Sequence, residues 1–441
     1  MKYFGIVCFA LLTELAAVSA QATMLEHAQR ATAAGIDVIT YQSGVKNVVS
    51  IAGFLPAGDA MADAANPAVA TLSGMMLDRG TLSRDKFAIA QQLDDVGASI
   101  AFNVGTQSLS ISAKCLKHDL SMVIGLIADE LRNPKLQAEE FAKAKQQLIG
   151  SIQASSQSTD ARAHEAFTRA AFPAGHPNHP AGSAEMLASA KRVTLEDVRA
   201  FQAKYYGPEH MTLVLVGDVD ATAQEQIGKA FAGWKGGQSF IRVAHAASPA
   251  AADLSVPLSD KPSVSVILGQ PTGLQYRDAD ALALRVGTAI LGHGFTGRLM
   301  STVRDKEGLT YGIGAGVADD SIVDGGWNIS ATFAPALLDK GIASTRRELQ
   351  HWWQDGVTER ELSDRKQGLI GGYQVGLASS AGIAAAIVSA LQRGYDLSWL
   401  DQYPEAVRAL TVEQINHSIR AHLDPTKMVL VRAGSVGTPI K

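Results

Sequence analysis

The chain has 441 residues, of which 46% are hydrophobic and 19% are charged, and its formal net charge is -4. This length and composition allow a sizeable buried core and roughly two or three domains. The sequence contains no long run of like charges, so it offers no basic surface for phosphate backbones, and nucleic acid is not expected as a partner.

The first twenty residues have the layout of a secretory signal peptide. Lys2 precedes an apolar run over 4–12, and small residues lead up to Ala20, so we expect cleavage after Ala20 or Ala22 and a periplasmic location. The alternative is a buried N-terminal helix. The apolar run is too short to span a bilayer, and Glu14 fits poorly in one. No later stretch reaches membrane length, so no stable membrane insertion is expected.

Two cysteines are present. Cys8 lies within the predicted signal peptide, which leaves Cys115 alone in the mature chain. A single thiol cannot close an intrachain disulfide or build a thiolate zinc site. Because Cys115 ends an alternating apolar run, it is predicted to be a small buried hydrophobe.

Hydrophobic periodicity and turn residues predict a first set of strands and helices between residues 48 and 206. The strands are predicted over 48–55, 99–104 and 108–115, and the helices over 67–78, 86–96, 119–132, 139–155 and 195–206. Strands joined by short polar turns indicate an antiparallel sheet packed against helices.

The ends of the two halves of the chain repeat each other. Residues 194–219 align with residues 411–436, and both segments are predicted to be a capped helix followed by a strand. A second match aligns 145–150 with 366–371. The offset between copies exceeds 200 residues, which indicates two copies of a whole domain, since solenoid units are about 20 to 50 residues long.

The duplication divides the chain into predicted domains at 21–235 and 263–441, after a signal peptide at 1–20. The stretch 236–262 is rich in glycine, alanine and proline, which is typical of an exposed linker. In the second half, strands are predicted over 263–268, 310–317 and 325–333, and helices over 278–291 and 338–354. The predicted fold class is α+β, with two homologous domains that each contain an antiparallel sheet covered by helices.

A glycine-rich turn in the second half precedes an arginine and a tyrosine. The turn contains Gly292, Gly294 and Gly297, and it is followed by Arg304 and, seven residues later, Tyr311. This order resembles the C-terminal signature of the insulinase (pitrilysin-type) family of zinc peptidases. The resemblance extends over nearly the whole mature chain, including the duplication, and it implies a fold like that of the mitochondrial processing peptidase.

The same resemblance locates the position of a zinc motif in the first half. Family members carry His-x-x-Glu-His on a helix that is followed by Gly-Thr, and aligning Gly80-Thr81 with that pair puts Thr71, Gly74 and Met75 at the three motif positions. A hydroxyl, a hydrogen and a thioether are poor zinc ligands. The distal glutamate is expected near residues 150–151, yet 141–159 contains no Asp or Glu.

The resemblance therefore implies that this chain binds no metal and works with a homologous subunit that carries the His-x-x-Glu-His motif and the Zn²⁺. Arg304 and Tyr311 would be catalytic, because they would bind the peptide substrate beside the zinc of the partner and help to hold the oxyanion. Gly292, Gly294 and Gly297 would contact the substrate.

Three other sequence patterns could indicate a metal or nucleotide site, but each lacks a required feature. His176 and His179 are close in sequence but lack further ligands, so they are expected to be loop residues. The stretch 164–168 begins like a zincin helix but has Thr168 in place of the second histidine. The Gly-x-Gly-x-x-Gly string at 292–297 follows a predicted helix, whereas a dinucleotide site requires a preceding strand.

Arg304 and Tyr311 could instead have purely structural roles. Arg304 alone could form a surface ion pair, Tyr311 could be half-buried in a sheet, and Arg298 is predicted to be structural. The function that the resemblance implies is a peptidase subunit that is inert alone. The alternatives are a non-catalytic peptide-binding or assembly protein and, third, a self-sufficient hydrolase with an unrecognised site.

Overall fold

A computed structural model describes residues 24–239 and 247–436 of the chain, so the predicted signal peptide lies outside the described residues. In chain order the strands are β1 (Ala28–Ala33), β2 (Ile36–Gln42), β3 (Val48–Leu55), β4 (Ser99–Val104), β5 (Leu109–Leu116), β6 (Thr212–Gly217), β7 (Ala252–Pro257), β8 (Val264–Pro271), β9 (Thr310–Ala318), β10 (Gly326–Phe333) and β11 (Val429–Gly434). The α-helices are α1 (Met24–His27), α2 (Val69–Met75), α3 (Lys86–Asp94), α4 (Leu120–Arg132), α5 (Ala138–Ser155), α6 (Thr159–Ala171), α7 (Ser183–Arg192), α8 (Leu195–Tyr205), α9 (Thr222–Ala230), α10 (Ala281–Gly292), α11 (Leu338–Asp355), α12 (Glu359–Gly376), α13 (Ser380–Gln392), α14 (Ser398–Ala409) and α15 (Val412–His422).

The strands form two sheets with the same internal order. The first sheet is β1-β2-β6-β3-β5-β4 and the second is β7-β11-β8-β10-β9, so that every strand of the first except β1 has a counterpart in the second. The predicted duplicated α+β fold is confirmed. Each sheet also holds one parallel pair, β2 with β6 and β7 with β11, because a whole helical layer connects these strands along the chain.

The two halves exchange one helix each. All positions of β6 and β8 are buried, so each sheet must be covered on both faces. Helices of the same half cover one face, whereas α13 from the second half packs against β3 and β6 in the first sheet. In return, α6 from the first half packs against β8 and β11. The two homologous domains are therefore interlocked.

The expected linker over 236–262 contains one strand of the second sheet. Strand β7 pairs in parallel with β11 from Ala252 to Pro257, so the ordered second sheet begins before residue 263. Part of the linker, 240–246, lies outside the described residues. The strand was not predicted, because this segment is rich in alanine and proline, which are uncommon in strands. It is a strand because its backbone pairs with β11 at the edge of the sheet.

The predicted helix over 67–78 is shorter in the structure. Helix α2 ends at Met75 and is followed by a 3-10 turn over Leu77–Arg79. Gly80 then adopts a φ of 103°, a conformation that favours glycine and that redirects the chain into the next turn.

Cys115 lies in β5 and is 3% exposed, as predicted for a small buried hydrophobe. Burial, with a smaller effect from Asp119, raises the pKa of its thiol to about 11. Among the described residues no single helix is long and apolar enough to cross a membrane, and the one pair that meets the criterion together, α12 with α13, is bent by 113°.

Candidate functional site

The glycine-rich turn joins α10 to a π-helical segment over Met300–Lys306. A Cβ on Gly292 would lie 2.3 Å from the backbone nitrogen of Ala315, and one on Gly297 would lie 3.1 Å from the Cα of Gly292. These two glycines are buried and allow the turn to pack closely against β9. Gly294 is exposed, with a φ of 69° and open space around it. That the three glycines contact substrate stays a prediction, and only Gly294 is open to solvent.

Arg304 lies between two exposed aromatic rings. Its Cζ atom is 5.2 Å from the ring centroid of Phe295 and 5.4 Å from that of Tyr311. Tyr311 is 89% exposed and Phe295 is 72% exposed, so Tyr311 is not half-buried as the structural alternative supposed. The nearest carboxylate contact of Arg304 is a loose one, 4.0 Å from Nε to Asp305 Oδ1.

The structure thus brings together Arg304 and Tyr311, the pair that the family resemblance singled out. Tyr311 lies near the start of β9, one of the two edge strands of the second sheet, and Arg304 lies in the segment that precedes it. Phe295 was missed in the sequence analysis. Its signal was an aromatic residue within a glycine-rich turn, where no core position is expected.

Arg298 holds the base of the turn. Its Nε and Nη2 atoms donate to the two carboxylate oxygens of Glu361 at 2.6 and 2.7 Å, and Nη2 also donates to the carbonyl of Gly356 at 2.8 Å. Burial opposes ionisation of Glu361, but hydrogen bonds from Arg298 and Thr358 hold its pKa down to about 2. Arg298 is therefore a bidentate structural contact, as the sequence analysis expected.

The helix at the zinc-motif position cannot hold the metal. Thr71 Oγ1 donates to Asp59 Oδ1 at 2.9 Å. A Cβ on Gly74 would lie 2.4 Å from Val104 Cγ2, so that a β-branched side chain from β4 fills the place where the motif has its glutamate. Met75 offers only a thioether. The residues present do not fit a zinc ion.

Acidic side chains are absent from the positions expected for the distal glutamate, which lie within the described part of the chain. The positions expected to carry it, Gly150 and Ser151, lie on α5. Within residues 24–239 and 247–436, no group of three or more His, Cys, Asp or Glu side chains is arranged to hold a metal ion.

Asp59 was not identified from the sequence. Burial raises its pKa to about 6, against the opposing hydrogen bonds from Thr71. It also lines a cavity of about 500 Å³ between the halves, together with Met61 in the first half and Ile322 and Val323 in the second. No periodic pattern links Asp59 to Thr71, twelve residues away, so the contact had no sequence signal.

His176 and His179 are loop residues, as predicted, and both form hydrogen bonds that fix the loop. The side chain of His176 is fully buried, and its Nε2 atom is 2.8 Å from Asp324 Oδ1. Nδ1 of His179 is 2.8 Å from the carbonyl oxygen of Phe172. His176 therefore ties this loop of the first half to the β9–β10 connection of the second.

The other rejected motifs have structural roles. Thr168 donates its hydroxyl hydrogen to the carbonyl of His164 within α6, so this helix presents no second ligand. The glycine string at 292–297 follows α10 and not a strand, which confirms that the context of a dinucleotide site is missing.

These features define a class of protein: a duplicated two-sheet peptidase fold that keeps an exposed Arg/Tyr pair and lacks zinc ligands on the metal helix. Residues 37–182 match the family model described as Insulinase (Peptidase family M16). Residues 192–369 match the model described as Peptidase M16 inactive domain. The chain belongs to the insulinase family, M16, and lacks the zinc site of its active members.

Two curated relatives illustrate the range of the family. A non-peptidase homolog from Helicobacter pylori is 22% identical over 83% of this chain and 84% of its own length. An uncharacterized zinc protease from Streptomyces coelicolor is 25% identical over 68% of this chain and 66% of its own length.

Solved structures agree on the fold. A peptidase M16 inactive domain from Pseudomonas fluorescens has a TM-score of 0.84 at 26% identity, covering 93% of this chain and 98% of that chain. The periplasmic protease PqqL from Escherichia coli has a TM-score of 0.77 at 15% identity, covering 98% of this chain and 48% of that chain.

Proposed function

We propose that this chain is the non-metal-binding subunit of a heteromeric zinc endopeptidase in the periplasm. Its partner is a homologous subunit with an intact His-x-x-Glu-His motif, which carries the Zn²⁺. The observation that supports the proposal is the pairing of Arg304 with an almost fully exposed Tyr311 in a chain whose own metal helix cannot bind zinc. A site that is built in this way is complete only across an interface.

Arg304 and Tyr311 supply donors for a peptide oxygen. The guanidinium is always charged, and the exposed phenol presents an O–H group to solvent. Placed where negative charge develops during attack on a peptide carbonyl, such donors lower the barrier. Phe295 and Tyr311 flank the guanidinium and restrict its orientation, because cations favour positions near aromatic rings.

Strand β9 also offers a place for the peptide backbone. It is an edge strand, and Tyr311 is its second residue. An extended peptide can add to such an edge by backbone hydrogen bonds, which the insulinase family is known to use. Gly294, exposed in the adjacent turn, leaves room for a chain that approaches Tyr311.

The proposal is tested by kinetics of the mixed complex with Arg304→Ala and Tyr311→Phe. Losing one preorganised donor is expected to lower kcat about 100- to 1000-fold for the arginine, and less for the phenol. Arg199→Ala is the matched control, because this exposed arginine on α8 pairs with its neighbour Glu196 on the same helix. Full activity of the Arg304→Ala complex would refute a catalytic role for this half.

A second function is favoured by one observation, the match of residues 192–369 to a domain described as inactive. The chain would then bind peptides or assist assembly without taking part in cleavage. In that case Arg304→Ala weakens peptide binding by the isolated chain but leaves cleavage by the partner unchanged. A self-sufficient hydrolase, the third hypothesis, requires stoichiometric zinc and cleavage by the pure chain.

A further inference from the structure

A small polar cavity lies between the two halves, lined by residues other than the Arg304 and Tyr311 pair. Its volume is about 250 Å³, and its walls come from the β4–β5 turn over 105–108 and the β9–β10 turn over 317–321. Arg285 from α10 and Arg393 from the end of α13 also line it. The cavity is below the roughly 300 Å³ at which pockets accept whole drug-sized ligands, so it fits a small group.

Arg393 has no carboxylate partner among the residues that the structure describes. Within the described part of the chain its guanidinium takes part in no hydrogen bond or ion pair, and its Nε atom is buried without an acceptor. Its Cζ atom lies 3.7 Å from the ring centroid of Tyr276. A buried N–H donor without an acceptor is costly, because the Nε atom of Arg393 has lost water and gained no hydrogen bond in return among the described residues.

Arg285 is only partly compensated. It pairs with Asp320, yet its Nε atom is also buried without an acceptor among the described residues. Its Cζ atom is 4.3 Å from the same Tyr276 ring. One aromatic ring therefore supports two guanidinium groups that both line the cavity.

Two arginines and two aspartates line the cavity, so the formal charge of its lining is balanced, and Arg277 lies beside it. The charged residues at and beside it are Arg277, Arg285, Arg393, Asp319 and Asp320. Arg277 reaches this region because its Nη1 atom lies 3.2 Å from the place of a Cβ on Gly394. Asp320 is engaged by Arg285, and Asp319 is the one remaining carboxylate of the set.

The walls of the cavity are held in place from both halves. Asn178 Nδ2 donates to the carbonyl of Asp319 at 2.9 Å, and the backbone nitrogen of Tyr276 donates to the carbonyl of Asp320 at 2.8 Å. On the opposite wall, Gln392 Nε2 donates to Ser108 Oγ at 3.3 Å. A cavity with fixed walls loses little entropy when it orders a ligand.

We propose that this cavity binds an oxyanion, either a carboxylate or a phosphate, through the planar donors of Arg393. Guanidinium groups bind such anions in a bidentate manner, and two further polar residues, Thr106 and Ser321, line the same cavity. The anion can be the C-terminal carboxylate of a peptide, a source that rests on the proposed function, or a small free oxyanion.

The test is calorimetry on the full mature chain with three probes: inorganic phosphate, a short peptide with a free C terminus, and its C-terminal amide. Arg393→Gln is expected to weaken oxyanion binding roughly ten- to a hundredfold. Arg393→Lys, which keeps the charge without the fork, is expected to be intermediate. Arg199→Gln is the surface control, and circular dichroism confirms folding of each variant.

Peptide binding that depends on Arg393 and is lost on amidation assigns the site to peptide termini, whereas phosphate binding that depends on Arg393 with no effect of amidation assigns it to free oxyanions. Either result supports the proposal. Absence of binding for phosphate and the free peptide, or binding that Arg393→Gln leaves unchanged, overturns it. The calorimetry measures binding by this chain alone. A negative result would therefore refute the anion site without bearing on the proposed peptidase function, which is tested by the kinetics of the mixed complex.

Discussion

At the scale of single residues, two arginines six positions apart have opposite surroundings. Arg298 is fixed by Glu361 and by a backbone carbonyl, so its charge is used within the fold. Arg304 has two aromatic neighbours and one loose contact to Asp305. Exposed ion pairs of that kind contribute little to stability. Its guanidinium therefore remains available for a ligand.

Glu130 on α4 is a buried acid. It is 2% exposed, and its Oε2 atom has no hydrogen bond within the described residues. Burial, with smaller effects from Asp78 and Asp129, raises its pKa from 4.5 to about 8. The folded state therefore holds the proton more tightly than the unfolded state does. This contribution to stability is full below pH 4.5 and is lost as the pH rises towards 8.

We predict that Glu130→Gln flattens this pH dependence. The variant should match the parent near pH 4.5 and be more stable by about 2 to 4 kcal/mol at pH 8, because an amide has no charge to bury. Denaturant unfolding between pH 4.5 and 9 measures the difference. Glu196→Gln, an exposed change on α8, is the control. Equal stability differences at both ends of the range would contradict the prediction.

At the scale of elements, α2 packs as a core helix although the zinc-motif positions on it carry no zinc ligands. Leu72 and Ser73 on its inner face are fully buried, and the helix packs against α8 and β4. Val104 from β4 occupies the space beside Gly74. Zinc binding is therefore excluded for two reasons: the residues on this helix are poor ligands, and Val104 fills the space that a glutamate side chain at position 74 would need.

Restoring the motif residues alone is predicted to fail. Thr71→His, Gly74→Glu and Met75→His together should give no stoichiometric zinc, because the new side chain at 74 meets Val104 and no distal glutamate is present. Adding Val104→Ala and Ser151→Glu should raise the zinc content measured by elemental analysis. One zinc per chain in the triple variant would show that the helix still fits the metal.

The elements that the sequence predicted are those whose environment is local. The alternating run at 109–115 gave β5, and the threonine caps at 194 and 411 gave the starts of α8 and α15. Helices α6 and α13 were not predicted, although Ala163, Phe167 and Ala171 of α6 are buried at helical spacing. That each helix packs on the sheet of the other half depends on contacts between residues far apart in sequence. The parallel pairing of β2 with β6 is likewise set by strands far apart in sequence.

The candidate site was predictable to a similar extent. The resemblance to the insulinase family identified Arg304 and Tyr311, and its motif, aligned on Gly80-Thr81, located the positions of Thr71 and Met75, where zinc ligands are missing. Contacts such as Asp59 with Thr71 depend on how a loop folds back over a helix, which composition and spacing do not determine.

At the scale of the whole molecule, the exchange of α6 and α13 makes each half part of the other's core. Ile383 and Ile387 of α13 are buried in one cluster with Val214 and Val216 of β6, across the boundary between the repeats. The buried pair of His176 with Asp324 adds a polar link at the same boundary. Stability of the first sheet therefore depends on residues near the end of the chain.

We predict that Ile387→Ala destabilises the chain by about 2 to 5 kcal/mol, since it opens a cavity in a fully packed cluster. Amide exchange of Val214 and Val216 in β6 should accelerate, although these residues lie more than 150 positions away. Val375→Ala on α12, where the side chain is 76% exposed, should change stability by no more than about 0.5 kcal/mol. If Ile387→Ala accelerates amide exchange only in the second half, the two halves unfold separately, and α13 does not contribute to the stability of the first sheet. Faster exchange in β6 means that the two repeats form one cooperative unit, which would hold the Arg/Tyr half in a fixed position for its partner.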